Sequence, residues 1–247
     1  MTRPTPIATA RRIFEERYPK AKVVLLAGSV IRGEGTAHSD LDLVVIYDEL
    51  ESAYRESFLF DGWPVEAFVH DPATLAYFTQ QVDIPTGVPS LCHMVADGIA
   101  IGEESDLCLT LKRRAKALLD RGPDPLTDKE IDGLRYAISD QLDDLRAPRD
   151  HAEAVASATV LYGTLTNFWF RSQRQWSAKG KSIPRRVRAL DPAFADRLEA
   201  AFLTLFSDGE PADVIRLAEE LLAPYGGCLF EGYTSVAPQD WRKQPGE

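Results

Sequence analysis

Short apolar runs and polar–apolar alternation in the N-terminal half of the chain predict several strands. Residues 22–27 (KVVLLA) form a β-branched run that stops at a glycine, which is typical of a buried strand. Residues 40–47 (DLDLVVIY) begin with strict alternation and predict a second strand. The Asp61-Gly62 pair predicts a type I′ turn between antiparallel strands at 54–60 and 63–70.

Apolar residues at helical spacing and N-cap signals predict helices in the rest of this half. Ile7, Ala10 and Ile13 have the spacing of an amphipathic helix, predicted over 6–17. Asp71-Pro72 predicts an N-cap followed by proline at the first helical position, and a helix continuing to residue 82. Further helices are predicted at 87–97 and 104–120, with a short strand at 98–102.

A change of pattern near the middle of the chain predicts two domains. Residues 121–126 (RGPDPL) hold glycine and two prolines between helical patterns, which indicates a domain boundary. Thr127 and Glu130 then match a capping box. We therefore predict an α/β (α+β) domain with a mixed sheet over 1–122 and an all-α helical-bundle domain over 123–247. The helices predicted for the second domain are 128–147, 151–176, 192–206 and 211–223.

Three carboxylates fall at strand positions of the first domain. Asp40 and Asp42 are two residues apart at a strand start, so both point to one face while Leu41 and Leu43 point into the core. Two like charges in this arrangement repel each other, and their natural use is to bind a hard divalent cation, Mg²⁺ or Mn²⁺. Glu66 lies in the middle of a hairpin strand, where an acid is unusual unless it faces a cation. From an adjacent strand it could reach the same metals.

Gly28 and Ser29 directly follow the first predicted strand and precede a predicted short helix. Glycine lets the backbone approach a phosphate, and the following N–H groups and hydroxyl can bind it. Arg32 lies one turn further on, within reach of a phosphate oxygen. These three residues are therefore candidates for nucleotide binding.

This ordered set resembles the signature of the nucleotidyltransferase superfamily that includes DNA polymerase beta. The signature is a Gly-Ser turn, a spacer of about ten residues, Asp-hydrophobic-Asp and a later acidic residue on a neighbouring strand. Gly28-Ser29, Asp40, Asp42 and Glu66 match these parts in order. The resemblance is close over 22–70 and is one of layout elsewhere. The alternative interpretation is an ordinary Gly-Ser turn followed by an exposed DLD segment.

The resemblance also implies a chemistry. Two Mg²⁺ ions, or Mn²⁺ in their place, would bridge Asp40, Asp42 and the α-phosphate of a nucleoside triphosphate, while an acceptor hydroxyl attacks in line and pyrophosphate leaves. Glu66 would be a metal ligand or the general base, and the sequence leaves both roles open. The SDLDL form and the helical second half are similar to the aminoglycoside and lincosamide nucleotidyltransferases, which implies an adenylyltransferase-like enzyme of antibiotic resistance that uses ATP.

The charge of the chain is distributed unevenly, which refines this interpretation. The net charge is −10, which argues against the basic surface that duplex nucleic acid needs. Residues 33–111 contain 15 acidic residues and one basic residue, Arg55, whereas residues 154–190 contain seven basic residues and no acidic one. Opposite blocks of charge are typical of solvated surfaces, but they would also suit two differently charged ligands.

Two groups in the second domain are secondary candidates. Asp140, Asp143 and Asp144 fall opposite the apolar stripe of the first helix there, so a solvated face is the simpler interpretation. Their functional interpretation is binding of a cationic acceptor, for which we name Asp140 and Asp144, or supply of the general base, which the resemblance also implies. Lys179 and Lys181 lie in the acid-free basic stretch. In similar enzymes a lysine of the helical domain contacts the triphosphate, although an exposed basic loop explains these lysines equally well.

Targeting and compartment signals are sparse. Three cysteines without metal or disulfide spacing favour a reducing compartment. No signal-peptide core and no apolar run of about 20 residues is present, so we predict a cytoplasmic protein without a membrane span.

The sequence therefore predicts a metal-dependent enzyme that transfers a nucleoside monophosphate from a nucleoside triphosphate, ATP in the first instance, to a hydroxyl of a small molecule. A cationic, aminoglycoside-like acceptor suits the acidic block. Two alternatives stay open: nucleotidylation of a protein target, and a non-catalytic, antitoxin-like partner protein with the same fold. Template-directed polymerisation is disfavoured because no basic track for a nucleic-acid strand is present.

Overall fold

The computed structural model describes residues 3–237 of the 247-residue chain. The chain divides into two compact units between Gly122 and Pro123, and each unit has its own hydrophobic core. The first unit is a five-stranded sheet with helices on both faces, and the second is helical. A mixed α/β unit followed by a helical one is the fold class that the sequence predicted.

The sheet has the strand order β3-β4-β2-β1-β5. Strands β2 and β4 run parallel to each other, and the other three neighbouring pairs are antiparallel, so the sheet is mixed. The strands are β1 (Val23–Ala27), β2 (Leu41–Ile46), β3 (Tyr54–Phe60), β4 (Trp63–His70) and β5 (Ile99–Ala100).

Helices cover the two faces of the sheet. Helix α1 (Pro6–Arg17) begins at the N-cap Thr5 and packs Ala10 and Ile13 against one face. Apolar residues of the later helices pack on the other face, against residues such as Leu25 and Val44. These later helices are α2 (Pro72–Tyr77), α4 (Ser90–Asp97) and α5 (Asp106–Arg121). A short helix, α3 (Ile84–Thr86), lies between α2 and α4 along the chain.

The β3–β4 hairpin forms as predicted. Asp61 and Gly62 have φ values of 50° and 78°, the positive values that a type I′ turn requires at both central positions. The two-residue turn fixes the register, which pairs Arg55 with Phe68 and Ser57 with Glu66.

The helix predicted from Asp71 to residue 82 is interrupted. Asp71 caps helix α2 in a capping box with Thr74. The α-helix ends at Tyr77, and the chain continues as a π-helix over Phe78–Asp83. The Thr79 hydroxyl donates to the Leu75 carbonyl at 2.8 Å, a back-bond that often bends helices. The next helix starts at Ser90 rather than at residue 87, because Gly87 has φ 75° and ends α3.

The second unit contains one helix that the sequence analysis missed. Helix α8 forms over Ser182–Leu190, where the sequence pattern predicted no helix. Pro184 disfavours a helix prediction for this segment, although proline is tolerated in a first helical turn. The helices of this unit are α6 (Asp128–Arg146), α7 (His151–Ser172), α8, α9 (Pro192–Asp208) and α10 (Ala212–Leu222).

Aromatic residues of α7 and α9 build the core of the second unit. Phe168, Trp169 and Phe170 are buried, and Trp169 stacks on Phe194 with ring centroids 4.6 Å apart. The aromatic run at residues 168–170 is therefore core. Over residues 3–237, the structure contains no helix with both the length and the apolar character of a transmembrane span.

Candidate active site

The parallel pairing of β2 and β4 brings the predicted carboxylates together. Asp42 and Glu66 are direct partners in the register of these strands, so their side chains share a face of the sheet. Asp40 precedes β2 by one residue and points the same way as Asp42. One carboxylate oxygen from each of the three lies within 4.8 Å of the others, and all three residues are half-buried.

The chemistry of this donor set fits a hard divalent cation. Mg²⁺ and Mn²⁺ prefer oxygen ligands, and carboxylates in a small cluster repel one another unless a cation compensates them. Within residues 3–237, this is the single group of three or more acidic, histidine or cysteine residues with such a spacing. Asp40, Asp42 and Glu66 are therefore the residues that could hold a metal.

Gly28 lies directly against the Asp42 carboxylate. Strand β1 pairs Ala27 with Asp42, and Gly28 follows with φ +83°, a left-handed conformation. A Cβ atom built on Gly28 would lie only 2.0 Å from Asp42 Oδ2. Glycine is required here for two reasons: the backbone conformation and the space that the carboxylate occupies.

The segment after Gly28 is a tight turn rather than the short helix that the sequence predicted. The Ser29 carbonyl accepts from the N–H groups of Arg32 and Glu34, at 3.2 and 3.1 Å. The Ser29 hydroxyl donates to Ser39 Oγ at 3.3 Å, which joins both ends of the loop that leads to Asp40. Val30 packs against the core and anchors this turn.

Arg32 lies on the exposed side of this turn. Its Nε atom donates to Glu34 Oε2 at 3.1 Å, and 46% of its side chain is exposed. A phosphate contact by Arg32 would therefore have to replace or share this ion pair.

Arg55 is a neighbour of the carboxylates to which the sequence analysis assigned no role. Its Nη2 atom donates to Glu66 Oε1 at 2.5 Å. The guanidinium lies over the Phe68 ring, 5.0 Å from the centroid. The signal was available in the sequence: a two-residue turn at Asp61-Gly62 places Arg55 diagonally across from Glu66, and Arg55 is the one basic residue among residues 33–111.

The candidate residues of the second unit are exposed. Lys179 and Lys181 flank Gly180, whose φ of +53° makes the turn before α8. Asp140 and Asp144 lie on α6, on the surface opposite its buried apolar stripe, and Asp143 on the same side forms an ion pair with Arg146. These residues and the carboxylate cluster belong to different compact units of the chain.

A family comparison defines the class of the N-terminal unit. The family described as "Nucleotidyltransferase domain" matches residues 7–81, a segment that runs from α1 into the π-helix and includes Gly28, Ser29 and the three carboxylates. This match supports the nucleotidyltransferase superfamily for the segment that contains the three carboxylates.

The remaining comparisons are more distant. A crystal structure of a nucleotidyltransferase-like protein from Exiguobacterium sibiricum 255-15 is similar over 88% of this chain and 74% of that chain, with 17% identity and a TM-score of 0.44. This value is too low to add to the family match. No curated protein matches the chain.

Proposed function

We propose that this protein transfers a nucleoside monophosphate, AMP from ATP, to a hydroxyl group of a small cationic molecule such as an aminoglycoside. The observation that carries the proposal is the cluster of Asp40, Asp42 and Glu66 oxygens within 4.8 Å of one another. It occurs inside a segment that matches a nucleotidyltransferase domain.

In this proposal, Asp40, Asp42 and Glu66 hold Mg²⁺. The bound metal would supply positive charge at the α-phosphate and lower the pKa of the acceptor hydroxyl. The close approach of Gly28 to Asp42 keeps the backbone next to the carboxylates. The Ser29 hydroxyl would exchange its hydrogen bond to Ser39 for one to a phosphate oxygen.

Charged side chains that the sequence singled out would bind the rest of the substrates. Arg32, Lys179 and Lys181 would contact the triphosphate, since exposed cations are suited to phosphate oxygens. Asp140 and Asp144 would attract the amino groups of a cationic acceptor.

The test is a transfer assay with defined substrates. Purified protein, Mg²⁺ and each labelled nucleoside triphosphate are combined with aminoglycosides, lincosamides or other hydroxyl-bearing acceptors, and pyrophosphate and labelled product are measured. Labelled small molecule with ATP is the expected result. Label on protein alone would replace the proposal with protein nucleotidylation, and ATP binding without transfer would favour a non-catalytic partner protein.

A matched pair of variants links activity to the carboxylates. Asp42→Ala removes a carboxylate from the cluster, and we expect kcat/KM to fall at least about a hundredfold, because metal stabilisation of transition-state charge is worth several kcal/mol. Asp48→Ala is the control, since Asp48 lies beyond the other end of β2 and pairs with Lys22 at 3.0 Å. An active Asp42→Ala protein that needs no metal would refute the mechanism.

A further inference from the structure

The guanidinium of Arg55 is a positive charge in direct contact with Glu66 of the carboxylate cluster. Its Nη2 atom donates a short, charge-assisted hydrogen bond to Glu66 Oε1, at 2.5 Å. The pair is only partly exposed, at 55% for the Arg55 side chain and 30% for Glu66. Arg55 thus offsets part of the repulsion among three carboxylates that lie within 4.8 Å of one another.

The sheet holds Arg55 in this position. Arg55 faces Phe68 across the hairpin, and Glu66 is two residues from Phe68, so the three side chains share one face. The Phe68 ring lies 5.0 Å from the guanidinium carbon and supports the planar group by a cation–π contact. The contact with Glu66 is therefore set by strand register and by packing.

From this arrangement we infer that Arg55 is a positioning residue that competes with the divalent cation for Glu66 and so sets the affinity of the site. The inference rests on the proposed function, because it takes the three carboxylates as the metal site. A cation that binds Glu66 through Oε1 must displace the guanidinium or share the oxygen with it. In either case the weakening of the Arg55–Glu66 ion pair lowers the affinity of the carboxylates for the cation. A site built in this way binds metal weakly until a further ligand coordinates the metal.

The structure offers a matched control in Arg17 of α1, whose contacts lie on the same strand as Arg55. Arg17 forms the same combination of contacts, with Glu56 Oε2 at 3.1 Å and with the Phe58 ring 3.9 Å from its guanidinium carbon. Glu56 and Phe58 alternate with Arg55 and Ser57 along β3, so this second pair lies on the opposite face of the sheet. Arg17→Gln removes the same charge and the same kind of contact without touching the cluster.

The experiment is a Mn²⁺ titration of the full-length protein without nucleotide, followed by the EPR signal of free Mn²⁺ at physiological ionic strength. We expect Arg55→Gln to lower the Kd for Mn²⁺ about threefold to fivefold, the scale of a partly exposed ion pair. Arg55→Lys, which keeps a positive charge, should return the Kd towards the wild-type value. Arg17→Gln should leave it unchanged, since exposed charges beyond about 8 Å are screened at this ionic strength. Circular dichroism checks that each variant is folded.

The outcomes separate the inference from the proposed function. If the wild type binds Mn²⁺ and Arg55→Gln binds it equally or more weakly, the inference is wrong and the metal site stands. An equal tightening in Arg17→Gln would also overturn it, because net charge would then explain the effect. If neither the wild type nor Arg55→Gln binds Mn²⁺, the metal site is rejected together with the inference.

Discussion

At the residue scale, the Asp42 carboxylate restricts which residue can occupy position 28. Its φ of +83° favours glycine, and its missing side chain leaves room for the Asp42 carboxylate. Gly33, in the same loop, has φ +73° with nothing within 4 Å of a built Cβ. The two glycines therefore share a backbone strain but not a steric conflict, which makes them a matched pair.

We predict that Gly28→Ala is more destabilising than Gly33→Ala and also impairs the site. Both variants carry the cost of a left-handed alanine, about 1 kcal/mol, but only the first places Cβ against Asp42. Urea unfolding measures the free energy of unfolding, and Mn²⁺ titration measures the site. Gly33→Ala should bind Mn²⁺ like the wild type. Equal behaviour of the two variants would show that the Gly28–Asp42 contact is unimportant.

At the scale of secondary-structure elements, Asp71 connects three parts of the N-terminal unit. Its Oδ1 atom accepts from the Thr74 N–H at 2.7 Å and caps α2, while Oδ2 accepts from the Leu50 N–H at 2.9 Å. The carboxylate thus joins the end of β4, the start of α2 and the segment after β2. The Thr74 backbone hydrogen bond, with a further contribution from Leu50, lowers the pKa of Asp71.

This geometry predicts both a stability change and its pH dependence. Asp71→Ala should lower the free energy of unfolding by about 1 kcal/mol at neutral pH, the cost of losing an N-cap. Because the pKa of Asp71 is lowered in the folded state, its charge contributes stability above the unfolded-state pKa of about 4. That contribution disappears as the pH falls through the lower folded-state pKa.

Urea unfolding across acidic pH measures this contribution. Asp71→Asn keeps a capping oxygen without the charge, so its stability deficit relative to the wild type should shrink as the pH falls below about 4. A deficit that stays constant with pH would contradict the assigned cause of the pKa shift.

At the scale of the whole molecule, the structure accounts for part of the uneven distribution of charge along the chain. The acidic residues 33–111 include Asp40, Asp42 and Glu66, which form one cluster, whereas Lys179 and Lys181 belong to the basic stretch 154–190 of the other unit. Part of the acidic excess therefore belongs to the candidate site. Within this stretch Lys179 and Lys181 lie in an exposed turn before α8, whereas Phe168, Trp169 and Phe170 of α7 belong to the core.

If the basic stretch binds the triphosphate, its lysines contribute to nucleotide affinity and not to metal affinity. We predict that the double variant Lys179→Gln, Lys181→Gln raises the Kd for ATP about tenfold, since a hydrogen bond to a charged group contributes about 1.5–3 kcal/mol. Its Kd for Mn²⁺ alone should not change. Lys129→Gln, an exposed lysine near the start of α6, is the charge control. Unchanged ATP affinity in an isothermal titration would identify the lysines as a solvated loop.

Local patterns in the sequence determined much of the first unit. The bounds of β3 and β4 and the turn between them were predicted correctly, because type I′ geometry and alternation are properties of neighbouring residues. The N-cap at Asp71 and the capping box at Thr127 were likewise predicted, since a cap depends on residues a few positions apart. The Gly-Ser and DLD motifs identified the superfamily for the same reason.

The tertiary structure decided what depends on residues far apart in the chain. The parallel pairing of β2 with β4 sets Asp42 beside Glu66, and it arises because β3 takes the sheet edge and leaves β4 next to β2. The close contact of Gly28 with Asp42 and the ion pair of Arg55 with Glu66 follow from that arrangement. A sequence motif names the residues of such a site. Strand order and register determine how far apart these residues lie and which charged side chains they contact, because strand order and register depend on hydrogen bonds between separate segments.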